Sequence, residues 1–348
     1  MADILIRKEG GAGRITLNRP KALNALTYEM CLAIDRALIG WAQDDAVGLV
    51  LIDAAGDRAF SAGGDIAEMY ATGRKGDYGY GRRFWRDEYR MNARIADYGK
   101  PVVSFLQGFT MGGGVGVGCH ASHRIVGETA QIAMPECGIG LVPDVGGSFL
   151  LAGAPGHLGE YLGTTGARMG PADAILAGFA DHFVPEADWA GLKARLVGTG
   201  DAAAVAGCVR KAPAGELGRL RPEIDAHFGA TTLAETVRSL GTADTPFAAA
   251  TLRALGRAAP LSAACAVEMV RRLRGHATLR AALALEYRFT WRAMEHADFL
   301  EGIRAAIIDK DRTPRWRHAG PGAVAAEEVD KMLAPLGQDE LTFAEDRP

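Results

Sequence analysis

Two carboxylates stand near each other in an otherwise apolar, glycine-rich stretch of this sequence. Glu136 and Asp144 belong to MPECGIGLVPDVGG, residues 134–147, in which the remaining residues are apolar or glycine. Burying an unpaired carboxylate is costly, so a buried acid usually shifts its pKa or acquires a partner. The two acids are therefore candidates for chemistry, and a surface loop with two solvated acids is the alternative.

A third acid, Glu88, lies on a helix that the sequence predicts over residues 82–98. One face of this helix is formed, at intervals of four and three, by Phe84, Glu88, Met91, Ile95 and Tyr98. Glu88 is the lone acid on this largely apolar stripe. It either has a buried role or lies at the edge of the stripe with its carboxylate in water.

Glycine-rich segments follow two predicted strands. They are FSAGGD, residues 60–65, and TMGGGVGVG, residues 110–118. Glycine lets backbone N–H groups approach a ligand closely, so two such loops directed at one spot could form an oxyanion hole. Packing glycine without chemistry is an alternative.

A dinucleotide-binding motif is a further interpretation of the second segment. Residues 116–121 fit the pattern GxGxxA, and Glu136 follows 20 residues after Gly116. In that motif, however, the acid ends a second strand, whereas residues 134–136 have the composition of a loop. The match is therefore weak.

The elements that must position these residues indicate an α/β fold. Short apolar runs predict strands at residues 4–7, 13–17, 47–56, 100–107 and 123–126. A helix is predicted over residues 27–44, with Thr27 as its N-cap. From about residue 192 onward Ala, Leu and Arg dominate, and strand-like runs disappear. We therefore predict a core over residues 1–190 and a mostly helical region over residues 191–348.

Composition excludes several classes of function. The 348 residues carry a formal net charge of −3, which provides no electrostatic footprint for nucleic acid. The eight histidines show no metal-ligand spacing, so no metal is expected. The five cysteines form no CxxC pair, which favours reduced thiols in a cytoplasmic protein. No apolar run approaches the ~18 residues that a membrane span needs, and the N-terminus has no hydrophobic signal core.

Five stretches resemble, in the right order, the enoyl-CoA hydratase/isomerase family, or crotonase superfamily. They are ITLNRPKALNAL (residues 15–26), FSAGGDI (60–66), GFTMGGGVGVG (108–118), AMPECGIGLVPDVGG (133–147) and DFLEGIRAAIIDKDRTPRW (298–316). The resemblance spans nearly the whole chain. It implies a spiral of ββα units that binds acyl-CoA, with a helical C-terminal region that covers the site.

The resemblance also implies roles for individual residues. The backbone N–H groups of Gly64 and Gly113 would form an oxyanion hole for the thioester oxygen. Glu136 would either attack the carbonyl carbon or activate water, and Asp144 would hold water and shuttle a proton to or from the thiolate. Glu88 would contact the hydroxyl group of the substrate.

Hydrolysis rather than hydration is implied by two positions. Hydratases of this family place a glutamate three residues after the oxyanion glycine, where this chain has Gly116. They usually have glycine where this chain has Asp144. PDVGG, DEYRMN and EYRFTWRAMEHADFLEGIRAAIIDKD are further markers of a thioester-hydrolase branch. We therefore expect hydrolysis of a short hydroxyacyl-CoA, such as 3-hydroxyisobutyryl-CoA in valine breakdown.

Other functions and partners stay open at this point. A hydratase or isomerase on the same fold is one alternative, and a non-catalytic CoA-binding protein is another. We expect no cofactor beyond the CoA of the substrate, and a homo-oligomer is a further expectation because the superfamily often forms trimers. Arg19, Lys21 and the backbone near Ala62 are candidates for contacts with CoA.

Overall fold

The computed structural model describes residues 2–275 and 278–343. The strands are β1 (Ile4–Glu9), β2 (Ala12–Leu17), β3 (Leu49–Ala54), β4 (Ala59–Ser61), β5 (Val102–Leu106), β6 (Phe109–Met111), β7 (His123–Val126), β8 (Gln131–Ala133) and β9 (His182–Phe183). The helices are α1 (Tyr28–Ala42), α2 (Ala67–Gly73), α3 (Gly79–Ala96), α4 (Gly113–Gly118), α5 (Gly147–Gly153), α6 (Leu158–Thr165), α7 (Pro171–Leu176), α8 (Trp189–Thr199), α9 (Leu217–Phe228), α10 (Leu233–Gly241), α11 (Pro246–Leu255), α12 (Pro260–Leu273), α13 (Leu279–His296), α14 (Phe299–Ile303) and α15 (Ala326–Leu333).

The strands form two sheets, and from β3 onward successive strands alternate between them. One sheet has the order β1-β2-β3-β5-β7-β9 and the other the order β4-β6-β8. The hairpin of β1 and β2 is antiparallel, whereas the other paired strands run parallel. The pairs β3/β4, β5/β6 and β7/β8 each contribute one strand to each sheet, and helices follow each pair. This is the predicted crotonase-like spiral of ββα units, so the α/β fold class is confirmed.

Strands β3 and β5 were predictable because they are buried on both faces. All six residues of β3, LVLIDA, are buried, as are all five of β5, VVSFL. A parallel strand covered on both faces is a continuous apolar run, and that pattern was visible in the sequence. The strands β4, β6 and β8 have only three residues each and were not predicted. Runs of that length are too short to show a periodicity.

The helix boundaries follow local capping and glycine positions. The Thr27 hydroxyl accepts a hydrogen bond from the Met30 N–H, which confirms Thr27 as the N-cap of α1. Helix α3 begins at Gly79 and ends at Ala96, so it starts earlier than predicted and does not include Tyr98.

None of the described helices is long and apolar enough to cross a membrane.

The chain divides into two compact units that interleave along the sequence. The first runs up to Asp65 and includes Asp87–Ala133 and Arg168–Gly218; the second comprises Ile66–Arg86, Met134–Ala167 and the chain from Arg219 onward. The first unit contains every described strand, and β3, β5 and α8 supply much of one of its apolar cores. In the second unit α12 is mostly buried. As a domain boundary, residue 190 stays a prediction.

Candidate active site

The first group of candidate residues lies in the first unit, where two short parallel strands end. Strand β4 ends at Ser61 and its parallel neighbour β6 ends at Met111, so the loops that follow them leave the same sheet edge. Both loops turn through a glycine at positive φ, Gly63 at 108° and Gly112 at 49°. Residues with a side chain rarely adopt a positive φ, so the backbone geometry itself requires glycine at these positions.

Gly64 and Gly113 are neighbours across these two loops. The Gly64 nitrogen lies 3.4 Å from the position that a Cβ atom would take at Gly113. Bonds from the Leu26 N–H to the Gly63 carbonyl, 2.9 Å, and from the Asp65 N–H to the Leu26 carbonyl, 2.7 Å, fix the first loop.

The N–H groups of these two glycines are available to a ligand. Gly113 is the first residue of α4, where a helix leaves its N–H groups without an acceptor of its own. Within residues 2–275 and 278–343, neither the Gly64 nor the Gly113 N–H donates to another backbone carbonyl. Two unpaired donors this close together can bind one oxygen atom that carries developing negative charge.

Glu88 lies against the same pair of loops. It is 4 % exposed, which rules out a solvated glutamate at the edge of the helix face. Its Oε1 atom lies 2.9 Å from the Cβ position at Gly113. The negative charge of Glu88 also adds to the burial that raises the pKa of the Cys31 thiol. The α3 stripe therefore presents a buried carboxylate to the glycine loops.

The second group of candidate residues lies in the second unit and contains the acid pair. Glu136 opens the 3-10 turn Glu136–Ile139 and is 5 % exposed, and Asp144 is 4 % exposed. A surface loop with two solvated acids is therefore wrong. Burial raises the pKa of Glu136 well above its usual range, and the charge of Asp144 raises it further. The Glu136 Oε2 atom is buried and has no hydrogen-bond partner among the described residues.

Helices of the second unit hold the turn that carries Glu136. The Cys137 carbonyl accepts a hydrogen bond from the Ala259 N–H at 2.8 Å, just before α12. Helix α14 approaches so closely that a Cβ atom at Gly302 would lie 2.1 Å from the Ile139 carbonyl oxygen. Packing therefore requires glycine at position 302. This contact could not be predicted from the sequence, because residues 139 and 302 are far apart in the chain.

The segment that carries Asp144 has an unusual backbone. Val145 has φ 53° and Gly146 has φ 80°, both in the left-handed region. A β-branched residue there is an outlier that needs support from its surroundings. The Gly147 N–H donates to the Asp144 carbonyl at 2.7 Å, and α5 begins at the same glycine.

Glu286 on α13 supplies this support, and sequence reasoning missed it. Its Oε2 atom accepts a hydrogen bond from the Gly146 N–H at 2.8 Å, and its Oε1 atom accepts one from the Ser148 N–H at 3.0 Å. The Ser148 hydroxyl donates to the same Oε1 atom. A signal was present: Glu286 stands among Ala282, Phe289 and Ala293 at helical intervals, the pattern that singled out Glu88.

The candidates for contacts with CoA lie on loops of the first unit. The Arg19 guanidinium donates to the Ala25 carbonyl at 2.7 Å and to Asp65 at 3.0 Å, so it already has protein partners. Lys21 and Ala62 are exposed, and the Ala62 N–H donates to the Leu23 carbonyl at 3.0 Å. Their contacts with CoA stay predictions.

The dinucleotide interpretation does not fit the structure. Gly116 lies inside α4 and is buried, whereas the motif needs its first glycines before the helix begins. Glu136 lies in a 3-10 turn and does not end a strand. In residues 2–275 and 278–343, no three His, Cys, Asp or Glu side chains are grouped in a way that could hold a metal ion.

Comparison with known proteins agrees with this fold. A family model described as enoyl-CoA hydratase/isomerase matches residues 12–333. The chain therefore belongs to the enoyl-CoA hydratase/isomerase family, as the sequence predicted. It is 37 % identical to the mitochondrial 3-hydroxyisobutyryl-CoA hydrolase of Gallus gallus and 35 % identical to that of Homo sapiens, over 98 % of this chain and 91 % of each relative.

Solved structures with the same fold carry other names. An enoyl-CoA hydratase from Rhodobacter sphaeroides 2.4.1 is 62 % identical, with a TM-score of 0.95 over 98 % of this chain and 100 % of that one. A carnitinyl-CoA dehydratase from Mycobacterium thermoresistibile is 41 % identical, with a TM-score of 0.94 over 99 % of both chains. Relatives named for hydrolysis, hydration and dehydration thus all match nearly the whole of this chain, so the residues of the site must separate these reactions.

Proposed function

We propose that this protein hydrolyses 3-hydroxyisobutyryl-CoA to 3-hydroxyisobutyrate and CoA, a step of valine breakdown. The observation that carries the proposal is the buried pair of Glu136 and Asp144, with glycine at position 116. Two buried acids can provide a base or nucleophile and a proton donor for the same reaction. The similarity to proteins named 3-hydroxyisobutyryl-CoA hydrolase supports the choice of substrate.

In the proposed reaction, the N–H groups of Gly64 and Gly113 bind the thioester oxygen and stabilise the charge that develops on it. Glu136 reacts in its ionised form, whose share grows as the pH rises toward its raised pKa. It either attacks the carbonyl carbon or removes a proton from an attacking water molecule. The C–S bond breaks, and the thiolate takes a proton from Asp144. If Glu136 attacks directly, ionised Asp144 removes a proton from the water that hydrolyses the resulting anhydride. In both routes Glu88 hydrogen-bonds the hydroxyl group of the acyl chain.

Hydration of an enoyl-CoA is the second candidate. The names of the two solved structures favour it. Hydration in this family uses a pair of glutamates, and this chain keeps only Glu136 of that pair, with Gly116 at the other position. Asp144 provides a carboxylate at a place where hydratases usually have glycine, which favours hydrolysis.

Two assays on the purified protein separate these candidates. In the first, 3-hydroxyisobutyryl-CoA is supplied with a thiol reagent that reports free CoA. In the second, loss of the conjugated enoyl absorbance of crotonyl-CoA is followed. We expect CoA release without loss of enoyl absorbance, and the same rate with EDTA because no metal takes part. Loss of enoyl absorbance alone would establish the hydratase, and inactivity in both assays would favour a CoA-binding protein.

The cytoplasm and a homo-oligomeric state are also proposed. All five cysteines are buried and free, as expected of a protein in a reducing compartment. The mitochondrion is the alternative compartment, because the relatives from Gallus gallus and Homo sapiens are named mitochondrial. Fractionation of cells that produce the protein tests the compartment, and sedimentation equilibrium tests the oligomeric state.

A further inference from the structure

Glu286 is a buried carboxyl group for which the proposed reaction has no direct use. It is 0 % exposed, and its helix, α13, lies 140 residues further along the chain than the glycine it bonds. A buried carboxylate is retained only where hydrogen bonds replace its hydration. Here three donors do so, two N–H groups and one hydroxyl, and all of them belong to the segment just after Asp144.

The positions of these donors show what the carboxyl group does for the backbone. The Gly146 and Ser148 N–H groups lie on either side of Gly147, whose own N–H closes the turn onto the Asp144 carbonyl. Glu286 thus bonds to both sides of the turn, directly after Val145 at positive φ. Without those bonds, the backbone strain at Val145 would favour a return to negative φ. That change would reorient the preceding residue, Asp144.

We propose that Glu286 is a positioning residue for the acid pair, in that its carboxyl group holds the segment 144–148 and thereby aims the Asp144 side chain. The inference deepens the proposed hydrolysis and depends on it for its consequence on turnover. Glu286 touches neither the reacting atoms nor the CoA in this scheme, so it acts only through Asp144.

The electrostatics of the cluster give the proposal a second, separate readout. Burial raises the pKa of Glu286 to about 8; the charge of Asp144 adds to the rise, and the bonds from Ser148 and Gly146 oppose it. The charge of Glu286 in turn adds to the rise in the pKa of Glu136. Removal of the Glu286 charge should therefore lower the pKa of Glu136.

The test is Glu286→Gln, which nearly preserves volume but replaces one acceptor oxygen with an NH₂ group that faces N–H donors. We expect kcat to fall about 30-fold, which is ~2 kcal/mol of barrier, with KM changed by no more than about twofold. An infrared titration of protonated carboxyl groups should lose a component near the wild-type pKa of about 8. A crystal structure should show Val145 away from positive φ.

Ser148→Ala is the matched control variant, because it removes the hydroxyl donor and leaves the carboxyl group and both N–H bonds. We expect a smaller fall in kcat, about threefold to fivefold. The carboxyl component should persist with its pKa shifted upward, because the bond from the Ser148 hydroxyl lowers that pKa. Should Glu286→Gln fail to fold, unchanged kcat in Ser148→Ala would overturn the proposal. Glu286→Gln with wild-type kcat, or with Val145 and Asp144 unmoved in its crystal structure, would also overturn it.

These readouts separate this inference from the proposed function. If wild type releases no CoA from 3-hydroxyisobutyryl-CoA, the proposed function fails, whereas the position of Val145 in Glu286→Gln still tests the support of the turn. If wild type is active and Glu286→Gln is equally active, only the positioning role fails.

Discussion

The Glu88 carboxylate occupies the space that a side chain at position 113 would need. Its Oε1 atom lies 2.9 Å from the Cβ position at Gly113, and a Leu26 methyl group lies 3.2 Å from the same point. Real Cβ atoms essentially never come within 3.0 Å of another heavy atom in this way. The absence of a side chain at position 113 is therefore a condition for Glu88 to stay where it is.

Gly113→Ala should accordingly reduce activity without unfolding the protein. The atom in conflict is the far end of a flexible side chain, so Glu88 can move, but its new position no longer serves the substrate. We expect kcat/KM for 3-hydroxyisobutyryl-CoA to fall about 100-fold, or ~3 kcal/mol. Gly40→Ala on α1 is the control, since nothing lies within 4 Å of its Cβ position. It should keep wild-type activity, and equal activity in both variants would contradict the role of residue 113.

Glu88→Leu tests whether this acid reads the hydroxyl group of the substrate. A site built to bond a hydroxyl group penalises an analogue that lacks it, because a buried polar group loses its ligand partner. Wild type should therefore prefer 3-hydroxyisobutyryl-CoA to isobutyryl-CoA, and the variant should lose this preference mainly on the hydroxylated substrate. The measurement is kcat/KM for both thioesters in both proteins. An equal fall on both substrates would mean that Glu88 organises the site without recognising the hydroxyl group.

Glu136→Gln and Asp144→Asn test the two acids. Both changes nearly preserve volume, so any loss reflects the missing carboxylate. Each should lower kcat at least about 100-fold, or ~3 kcal/mol of barrier, while the affinity for free CoA stays near that of wild type. The thiol assay and calorimetric titration with CoA provide the two measurements. A folded variant that kept more than about half of the wild-type kcat would show that its acid has a different role.

Glu136→Gln should also stabilise the protein at neutral pH. Burial raises the pKa of Glu136 above its ordinary value of 4.5, so the folded state binds a proton more tightly than the unfolded chain does. The stability of wild type should therefore fall as the pH rises from 4.5 through the raised pKa, by ~1.4 kcal/mol for each pKa unit of difference. The glutamine side chain of the variant stays neutral at every pH, so the stability advantage of the variant should grow as the pH rises.

Urea unfolding of both proteins at a series of pH values measures this difference. Part of the slope should persist in Glu136→Gln, because the pKa of Glu286 is also raised. A variant that is less stable than wild type at neutral pH, or an advantage that shrinks as the pH rises, would contradict the assignment of Glu136 as a buried acid without a compensating partner.

Much of the site could be read from the sequence because its parts are local. The acids Glu136 and Asp144 stand in one short motif, and Gly64 and Gly113, the glycines proposed for the oxyanion hole, stand in two others. Glu88 was found because helical spacing places it on an apolar face, a property of one segment alone. The long buried strands were predictable for the same reason, since a strand buried on both faces contains a run of apolar residues, such as residues 49–52 of β3.

Other features arise from residues far apart in the chain, and no local pattern records them. The contact of Glu88 with the Cβ position at Gly113 depends on how α3 packs, and the support of Asp144 by Glu286 depends on α13.

The sequence by itself determined the family, the α/β class and the chemical types at the site, because those are carried by short motifs and by periodicity. Only the tertiary structure decided that the acids are buried, that the pKa of Glu136 is raised, and that Glu286 accepts hydrogen bonds from the turn after Asp144. The physical reason is that desolvation and hydrogen-bond geometry depend on what surrounds a group in space, and distant segments supply those surroundings.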